Sequence, residues 1–218
     1  MRTRAVLFDL DDTLHDKSAT LRAVSASQFR NFQLGTIGVN REEWESAFVE
    51  LNNLRIEKTD VFRRLGQRFE ISADRIALLL KDFDENLGKS ARPYPGVFEL
   101  LTSCKKQGFK IGIVTNGRDA FQRSKISGMG IEPLVDAVIT SGGFGVRKPD
   151  PRIFHACLDA LRVTPSEASF VGDDFDADML PSIALGMRAV WKSSSASSAV
   201  AYSSDSLDEI RIFLLENA

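Results

Sequence analysis

Three aspartates occur within four positions near the start of the chain, at Asp9, Asp11 and Asp12. They follow the apolar run Ala5–Phe8, which is typical of a strand buried in a parallel sheet. The acids therefore fall where such a strand emerges at the carboxyl edge of a sheet, the usual ligand crevice of an open α/β fold. Crowded carboxylates repel one another, so this placement favours a bound cation or a chemical task. A solvated acidic loop or a helix cap is the alternative.

Three further predicted strands end in residues that could bind ions. The strand at 109–114 runs into Thr115-Asn116-Gly117, a hydroxyl and a tight turn that can direct backbone N–H groups at an anion. The strand Ala137–Thr140 leads through a glycine loop, predicted to be mobile, to Lys148 before a proline. The strand at 169–171 ends in a second acidic cluster, Asp173, Asp174, Asp176 and Asp178. Each motif alone could be a turn, a cap or a surface charge, but together they predict one convergent site.

The elements that would position these residues alternate between helix and strand from about residue 97 onward. The predicted helices are 97–107, 120–127, Pro151–Leu161, 179–185 and 207–215. The predicted strands between them are 109–114, Ala137–Thr140, 169–171 and 189–191, with a weak edge strand near 200–202. Short strands alternating with helices predict right-handed crossovers, and hence an α/β fold with a doubly wound, mostly parallel sheet.

The region after the first motif is predicted to be entirely helical. Apolar residues recur at helical spacing over about 19–34, 41–55, 58–69 and 73–87. Asn40 and Ser72 are candidate N-caps of the second and fourth of these helices. We therefore expect a catalytic core made of residues 1–15 and 91–218, and a helical cap made of residues 16–90.

Composition excludes several classes of function. A chain of 218 residues, 43% hydrophobic and 27% charged, can bury a sizeable core. Its net charge of −2 provides no basic field for a nucleic-acid polymer.

Cys104 and Cys157 lie on separate predicted helices without metal-binding spacing, so we expect free thiols. No stretch approaches a membrane span, and the sequence predicts a cytoplasmic, reducing context with no membrane partner.

The four motifs, in this order, resemble those of the haloacid dehalogenase-like hydrolase superfamily. They are Asp9-Leu10-Asp11-Asp12-Thr13, Thr115-Asn116-Gly117, Lys148-Pro149-Asp150 and the run from Gly172-Asp173 to Asp178. The sequence looks most like the phosphatase branch that carries a C1-type helical cap after the first motif. Dehalogenases of the superfamily lack an acid two residues after the nucleophile, so Asp11 favours phosphoryl chemistry.

The resemblance implies a role for each motif. Asp9 would be the nucleophile and Asp11 the general acid and base. Independently of the resemblance, Asp12 is expected to cap or brace the turn, because its side chain should point away from Asp11 in an extended segment. His15 is expected to be an accessory loop residue, with a position facing the substrate as the alternative. Mg²⁺ would be held by the Asp9 and Asp173 carboxylates and the Asp11 backbone carbonyl. Asp178, with Asp174, would orient Lys148 and metal-bound water. The transferred phosphoryl group would be bound by Thr115, Asn116, Gly117 and Lys148.

The implied activity is hydrolysis of a small phosphorylated metabolite, a nucleotide, phosphosugar or phospho-acid, through an aspartyl-phosphate. A phosphosugar mutase of the same superfamily and a phospho-accepting signalling or binding module remain as alternatives. Receiver domains, however, place the phosphorylated aspartate on a later strand and carry no helical insertion. The sequence does not identify the substrate or the oligomeric state. Six basic residues of the predicted cap are equal candidates for substrate selection: Arg22, Arg55, Lys58, Arg63, Arg64 and Arg68.

Overall fold

The computed structural model describes residues 3–54 and 56–218. Its parallel strands form one six-stranded sheet in the order β3-β2-β1-β4-β5-β6. The strands are β1 (Ala5–Phe8), β2 (Lys110–Thr115), β3 (Ala137–Thr140), β4 (Ala168–Gly172), β5 (Arg188–Lys192) and β6 (Tyr202–Ser204). This arrangement confirms the predicted doubly wound α/β class.

Helices connect and flank these strands, and the segment between β1 and β2 is helical. The helices are α1 (Lys17–Asn31), α2 (Arg41–Asn53), α3 (Lys58–Arg68), α4 (Ala73–Asn86), α5 (Val97–Lys106), α6 (Asp119–Gly128), α7 (Ser141–Phe144), α8 (Pro151–Leu161), α9 (Leu180–Ala184) and α10 (Leu207–Glu216). Within the described ranges, no helix is long and apolar enough to cross a membrane.

The sheet is covered by helices on both faces because its central strand alternates side chains between two apolar layers. Val6 and Phe8 of β1 pack in a core cluster with residues of α5, α6 and α10. Ala5 and Leu7 pack in a second cluster with residues of α8. All four β1 side chains are fully buried, which explains the uninterrupted apolar run.

The helices α1–α4 share a third core that is separate from the two layers on the sheet. Its centre is aromatic, with Trp44, Phe48, Phe62 and Phe83 in ring contacts. Asn40 caps α2 as predicted, since its side chain accepts the Glu43 N–H at 3.1 Å. Ser72 holds the N-cap position of α4 but makes no side-chain cap bond.

Three local features differ from the sequence prediction. The edge strand begins at Tyr202, two residues after the predicted start. The glycine loop after β3 contains α7, because the Thr140 hydroxyl caps its first turn by accepting the Gly143 N–H at 3.0 Å. A π-helical turn, Phe175–Met179, precedes α9. The predicted end of the second helix at Arg55 lies outside the described residues.

Candidate active site

The predicted site residues gather at the carboxyl edge of the sheet, around the ends of β1 and β4. These two strands are neighbours in the sheet. The chain continues from β1 to β2 on one side and from β4 to β5 on the other side, so a crevice opens between the ends of β1 and β4. Asp9 follows β1, and its N–H donates to the Val171 carbonyl at 2.9 Å. A cavity of about 660 Å³ lies here, which we call the phosphate cavity. Its lining includes Asp9, Asp11, Asp12, Thr115, Asn116, Arg147, Lys148, Asp173, Asp174 and Asp178.

Lys148 joins two buried carboxylates in this cavity. Its ammonium lies 2.5 Å from Asp9 Oδ1 and 2.6 Å from Asp178 Oδ1, and the lysine is 5% exposed. Burial would lower its pKa, but Asp9 and Asp178 outweigh that effect and raise it. The Asn116 side chain fixes the Lys148 backbone, accepting its N–H at 2.8 Å and donating to its carbonyl at 3.1 Å. Lys148 is therefore a fixed positive charge beside Asp9.

Asp9, Asp173 and Asp178 form an acidic triad in which one carboxylate oxygen from each residue lies within 4.8 Å of the other two. An oxygen-only donor set of this kind suits a hard divalent cation such as Mg²⁺. Thr13 orients Asp173 by donating its hydroxyl to Oδ1 at 3.2 Å. A Cβ atom at Gly172 would lie 2.3 Å from Asp178 Oδ2, so only glycine permits this approach.

Burial raises the pKa of each carboxyl in the triad. It raises the pKa of Asp9 to about 6, and the nearby Asp173 adds to the effect. Burial and then Asp178 raise the pKa of Asp173 to about 6. The pKa of Asp178 rises to about 7, again through burial, despite its contact with Lys148. The triad thus holds more negative charge than Lys148 neutralises, which is the condition that a bound cation relieves.

We expect the metal-free protein to lose stability as the pH rises from about 5 to about 8. Because the three folded-state pKa values lie above the ordinary value of 3.8, the native state binds more protons than the unfolded chain in this range. Stability therefore falls with pH until the carboxyls are ionised. The measurement is the melting temperature in chelator across this range. Asp178→Asn should reduce the slope, whereas Asp208→Asn, on the exposed face of α10, should not. A melting temperature that rises with pH would contradict the assignment.

The Asp11 side chain contacts three groups outside the triad. Lys125 Nζ lies 2.8 Å from both of its oxygens, His15 Nδ1 lies 2.6 Å from Oδ1, and Gln122 donates to Oδ2 at 3.2 Å. Burial would raise the Asp11 pKa, but Lys125 and the His15 hydrogen bond lower it well below its usual range. Since an ionised carboxylate only accepts hydrogen bonds, His15 places a proton on Nδ1. Its Nε2 lies 2.8 Å from the Thr20 hydroxyl.

The Thr115-Asn116-Gly117 turn forms at the end of β2 and borders the cavity that contains the triad. Thr115 Oγ1 accepts a hydrogen bond from Gln122 at 2.6 Å, which leaves the hydroxyl proton available for another acceptor. The Gly117 N–H is already engaged, since it donates to the Ser141 hydroxyl at 2.9 Å. Gly117 therefore ties its loop to the start of α7, while Thr115 and Asn116 line the phosphate cavity.

Residues 6–192 match the family of haloacid dehalogenase-like hydrolases. The chain belongs to this family. The resemblance predicted from the four motifs is thereby confirmed, and the helical segment between β1 and β2 agrees with a cap of the C1 type. The predicted enzyme class, a haloacid dehalogenase-like hydrolase, is confirmed by the same match.

Several relatives share most of their length with this haloacid dehalogenase-like hydrolase. A glyceraldehyde 3-phosphate phosphatase of Pyrococcus abyssi is 31% identical over 199 residues, covering 86% of this chain and 80% of the relative. The pyrimidine 5′-nucleotidase YjjG of Escherichia coli is 29% identical over 204 residues, covering 85% and 84%. A solved HAD-hydrolase, YfnB from Bacillus subtilis, bound to magnesium, has a TM-score of 0.73 at 22% identity and covers 98% and 99%.

The contacts of Asp11 in this hydrolase involve residues that the sequence analysis did not select. Gln122 and Lys125 lie three positions apart on α6, the helix that follows the Thr115 turn, and both are buried. Their i, i+3 spacing on the first turns after a motif strand was the available signal. Thr13, which orients Asp173, belongs to the first motif, and its type and position alone predict no specific contact.

Proposed function

We propose that this haloacid dehalogenase-like hydrolase is a Mg²⁺-dependent phosphatase that hydrolyses a small phosphorylated metabolite through an aspartyl-phosphate on Asp9. The observation that carries the proposal is the position of Asp9 at the end of the central strand. There it contacts the ammonium of Lys148 and shares an acidic triad with Asp173 and Asp178. The relatives named as a phosphatase and a nucleotidase support the same class of reaction.

A phosphate monoester is anionic and hydrolyses extremely slowly in water, so an anionic nucleophile needs positive charge beside it. Lys148 supplies one such charge next to Asp9. We propose that the Asp9 and Asp173 carboxylates and the Asp11 backbone carbonyl hold Mg²⁺. When bound, the ion neutralises the charge of the phosphoryl group and of the acids around it. The Thr115 hydroxyl and the Asn116 backbone bind phosphoryl oxygens, while Asp178 and Asp174 keep Lys148 and water in position.

The reaction has two displacements at phosphorus. In the first, an Asp9 oxygen forms a bond to phosphorus, the bond to the substrate oxygen breaks, and Asp11 protonates the departing alkoxide. In the second, Asp11 removes a proton from water, the resulting hydroxide attacks phosphorus, and the bond to Asp9 breaks to release phosphate. Asp11 rests as a carboxylate between Lys125 and His15, which is the state needed in the second step. The first step requires that Asp11 gain a proton and loosen its contact with Lys125.

We propose that residues 16–90 are a cap that closes over this site. The two segments that connect the cap to the core are hydrogen-bonded to each other, since the Asp16 N–H donates to the Arg92 carbonyl at 2.8 Å. The Arg92 N–H donates in turn to the Thr20 hydroxyl at 2.9 Å. Thr20 also contacts His15, which is hydrogen-bonded to Asp11, so the connecting segments are linked to Asp11 through these two residues. Closure would exclude water while the aspartyl-phosphate forms.

The proposal is tested by measuring free phosphate released from a panel of phosphorylated metabolites in the presence of Mg²⁺. The panel should contain nucleotides, phosphosugars and phospho-acids, with p-nitrophenyl phosphate as a small artificial ester. Multiple turnovers with stoichiometric phosphate release are expected. Isomerised phosphosugar without free phosphate would identify a mutase. One phosphorylation per chain without turnover would identify a phospho-accepting module.

Removal of the metal should abolish phosphatase activity. The acidic triad cannot approach a phosphate dianion without a cation, so excess chelator should stop hydrolysis and Mg²⁺ should restore it. Ca²⁺ should suppress activity in the presence of Mg²⁺, because it accepts more ligands at longer distances and engages both oxygens of a carboxylate. The measurement is the rate of p-nitrophenyl phosphate hydrolysis, together with the melting temperature as a readout of metal binding. Full turnover in excess chelator would exclude the metal assignment.

A further inference from the structure

A second cavity of about 400 Å³, which we call the leaving-group cleft, lies between the helices α1–α4 and the core. It shares Asp11, Asn116 and Arg147 with the phosphate cavity, so the two spaces adjoin. An ester whose phosphoryl group lies at Asp9 would place its alcohol portion in this cleft. The chemistry of the cleft therefore indicates the chemistry of the leaving group.

The leaving-group cleft has an excess of cations among its described lining residues. The cations are Lys17, Lys58, Arg118, Lys125 and Arg147, and the anions are Asp11 and Glu57. Two of the cations are already neutralised. Lys125 contacts Asp11, and Arg118 contacts Asp84 at 2.6 Å. The remaining cations outnumber the remaining anion, which is the exposed Glu57.

Lys58, at the start of α3, is half-buried in the cleft and bonded to neutral groups. Its ammonium donates to Asn52 Oδ1 at 2.8 Å and to the Asn52 carbonyl at 3.3 Å. It also lies 5.5 Å from the centre of the Phe83 ring. In the part of the chain that the structure describes, it forms no ion pair. Burial, followed by the charges of Lys17 and Lys125, lowers its pKa to about 8.

The structure separates Lys58 from the other basic residues of the predicted cap. Arg63 contacts Asp60 at 3.1 Å, and Arg68 contacts Glu50 at 3.5 Å, both on the exposed surface. Arg22 and Arg64 are exposed and do not line the cleft. Among the described candidates, Lys58 alone lines it. An unpaired ammonium in a partly desolvated space is unfavourable unless an anion arrives to pair with it.

We propose that the leaving group of the substrate carries a negative charge of its own, a carboxylate or a second phosphate, and that Lys58 binds it. This inference rests on the proposed phosphatase function. Lys17 and Arg147 add to the positive field that would attract such a multiply charged anionic ester into the cleft. The Phe83 and Phe121 rings, 5.8 Å apart, form an apolar wall beside the bound alcohol.

The first experiment compares matched esters with the unmodified protein and Mg²⁺. The carboxylate arm compares 3-phosphoglycerate with glycerol 3-phosphate, whose leaving group is neutral. The second-phosphate arm compares fructose 1,6-bisphosphate with fructose 6-phosphate. In at least one arm, kcat/KM for the charged ester should exceed that for the neutral ester by about 10-fold or more, because charge-assisted hydrogen bonds are the strong ones. The arm with the larger ratio identifies the anion.

The second experiment measures the same ratios in variants. Lys58→Gln removes the charge and should reduce the preferred ratio about 10-fold or more, mainly through KM. Lys58→Arg retains the charge and should keep much of the ratio. Lys81→Gln is the matched control, since Lys81 is an exposed lysine of α4, outside the cleft. Each ratio is measured within one preparation, so a loss of folded protein affects both of its members equally.

The outcomes separate this inference from the function on which it rests. If neither p-nitrophenyl phosphate nor any of the four metabolites is hydrolysed, the proposed phosphatase function is wrong. If esters are hydrolysed but both ratios lie near one, or if a nucleoside monophosphate, whose leaving nucleoside is neutral, is preferred, the inferred anionic leaving group is wrong and the phosphatase function stands. A preference for the charged ester that survives Lys58→Gln would overturn the role of Lys58.

Discussion

Asp9→Asn should abolish phosphatase turnover, because an amide oxygen cannot form the aspartyl-phosphate that the proposed mechanism requires. Asp11→Asn should keep the backbone carbonyl at that position and lose proton transfer, which typically costs about 10²–10⁴-fold in kcat. The measurement is phosphate release under saturating Mg²⁺, with Asp208→Asn as a matched control on the exposed face of α10. Wild-type rates in Asp9→Asn would exclude Asp9 as the nucleophile.

A stability measurement separates chemical loss from misfolding in these variants. Burial raises the pKa of Asp9, so its negative charge costs free energy in the metal-free native state. In Asp9→Asn the side-chain amide oxygen would still accept the Lys148 hydrogen bond, and the neighbouring Lys148 and Asp178 would remain paired. Asp9→Asn should therefore melt no lower than the unmodified protein in chelator. In Asp11→Asn, transient label on Asp9 from a substrate with a good leaving group would further show that attack and proton transfer are separate events.

The sequence predicted the fold and the gathering of the motifs because both depend on local patterns. An apolar run such as β1 is typical of a strand in the middle of a parallel sheet, and parallel strands bring their carboxyl ends to one edge. Asp9, Thr115, Lys148 and Asp173 consequently line one cavity.

The contacts of Asp11 could not be predicted because they depend on which face of α6 turns inward. A lysine on a helix is typical of a solvated surface, and the i, i+3 spacing of Gln122 and Lys125 places both on one face of α6 without indicating that this face is buried. In the fold its ammonium lies against Asp11 and the Phe121 ring, with 6% of its side chain exposed. The basic residues of the cap presented the same difficulty. Pairing and burial distinguish Lys58 from Arg63 and Arg68, and both are properties of tertiary structure.

Lys148→Met should abolish activity and destabilise the metal-free protein by about 3–5 kcal/mol near pH 8, because it leaves two buried carboxylates without their counter-charge. The pKa values of Asp9 and Asp178 are already raised by burial, and loss of the ammonium would raise them further. Both carboxyls could then accept protons at about pH 5, so the destabilisation should be smaller there. The measurement is urea denaturation at both pH values in chelator.

Two further variants test whether the free-energy loss arises from unpaired charge. Lys148→Met combined with Asp178→Asn removes one of the two carboxylates and should recover part of the stability without restoring turnover, since Asp9 would still lack its cation. Lys81→Met, in an exposed ion pair with Glu85, is the matched control and should change the free energy of unfolding by less than about 1 kcal/mol. A Lys148→Met loss that is equal at both pH values would show that Lys148 acts through packing. A pH-dependent loss of unfolding free energy in Lys148→Met that Asp178→Asn partly reverses would identify Lys148 as the charge that allows Asp9 to remain ionised in a buried site.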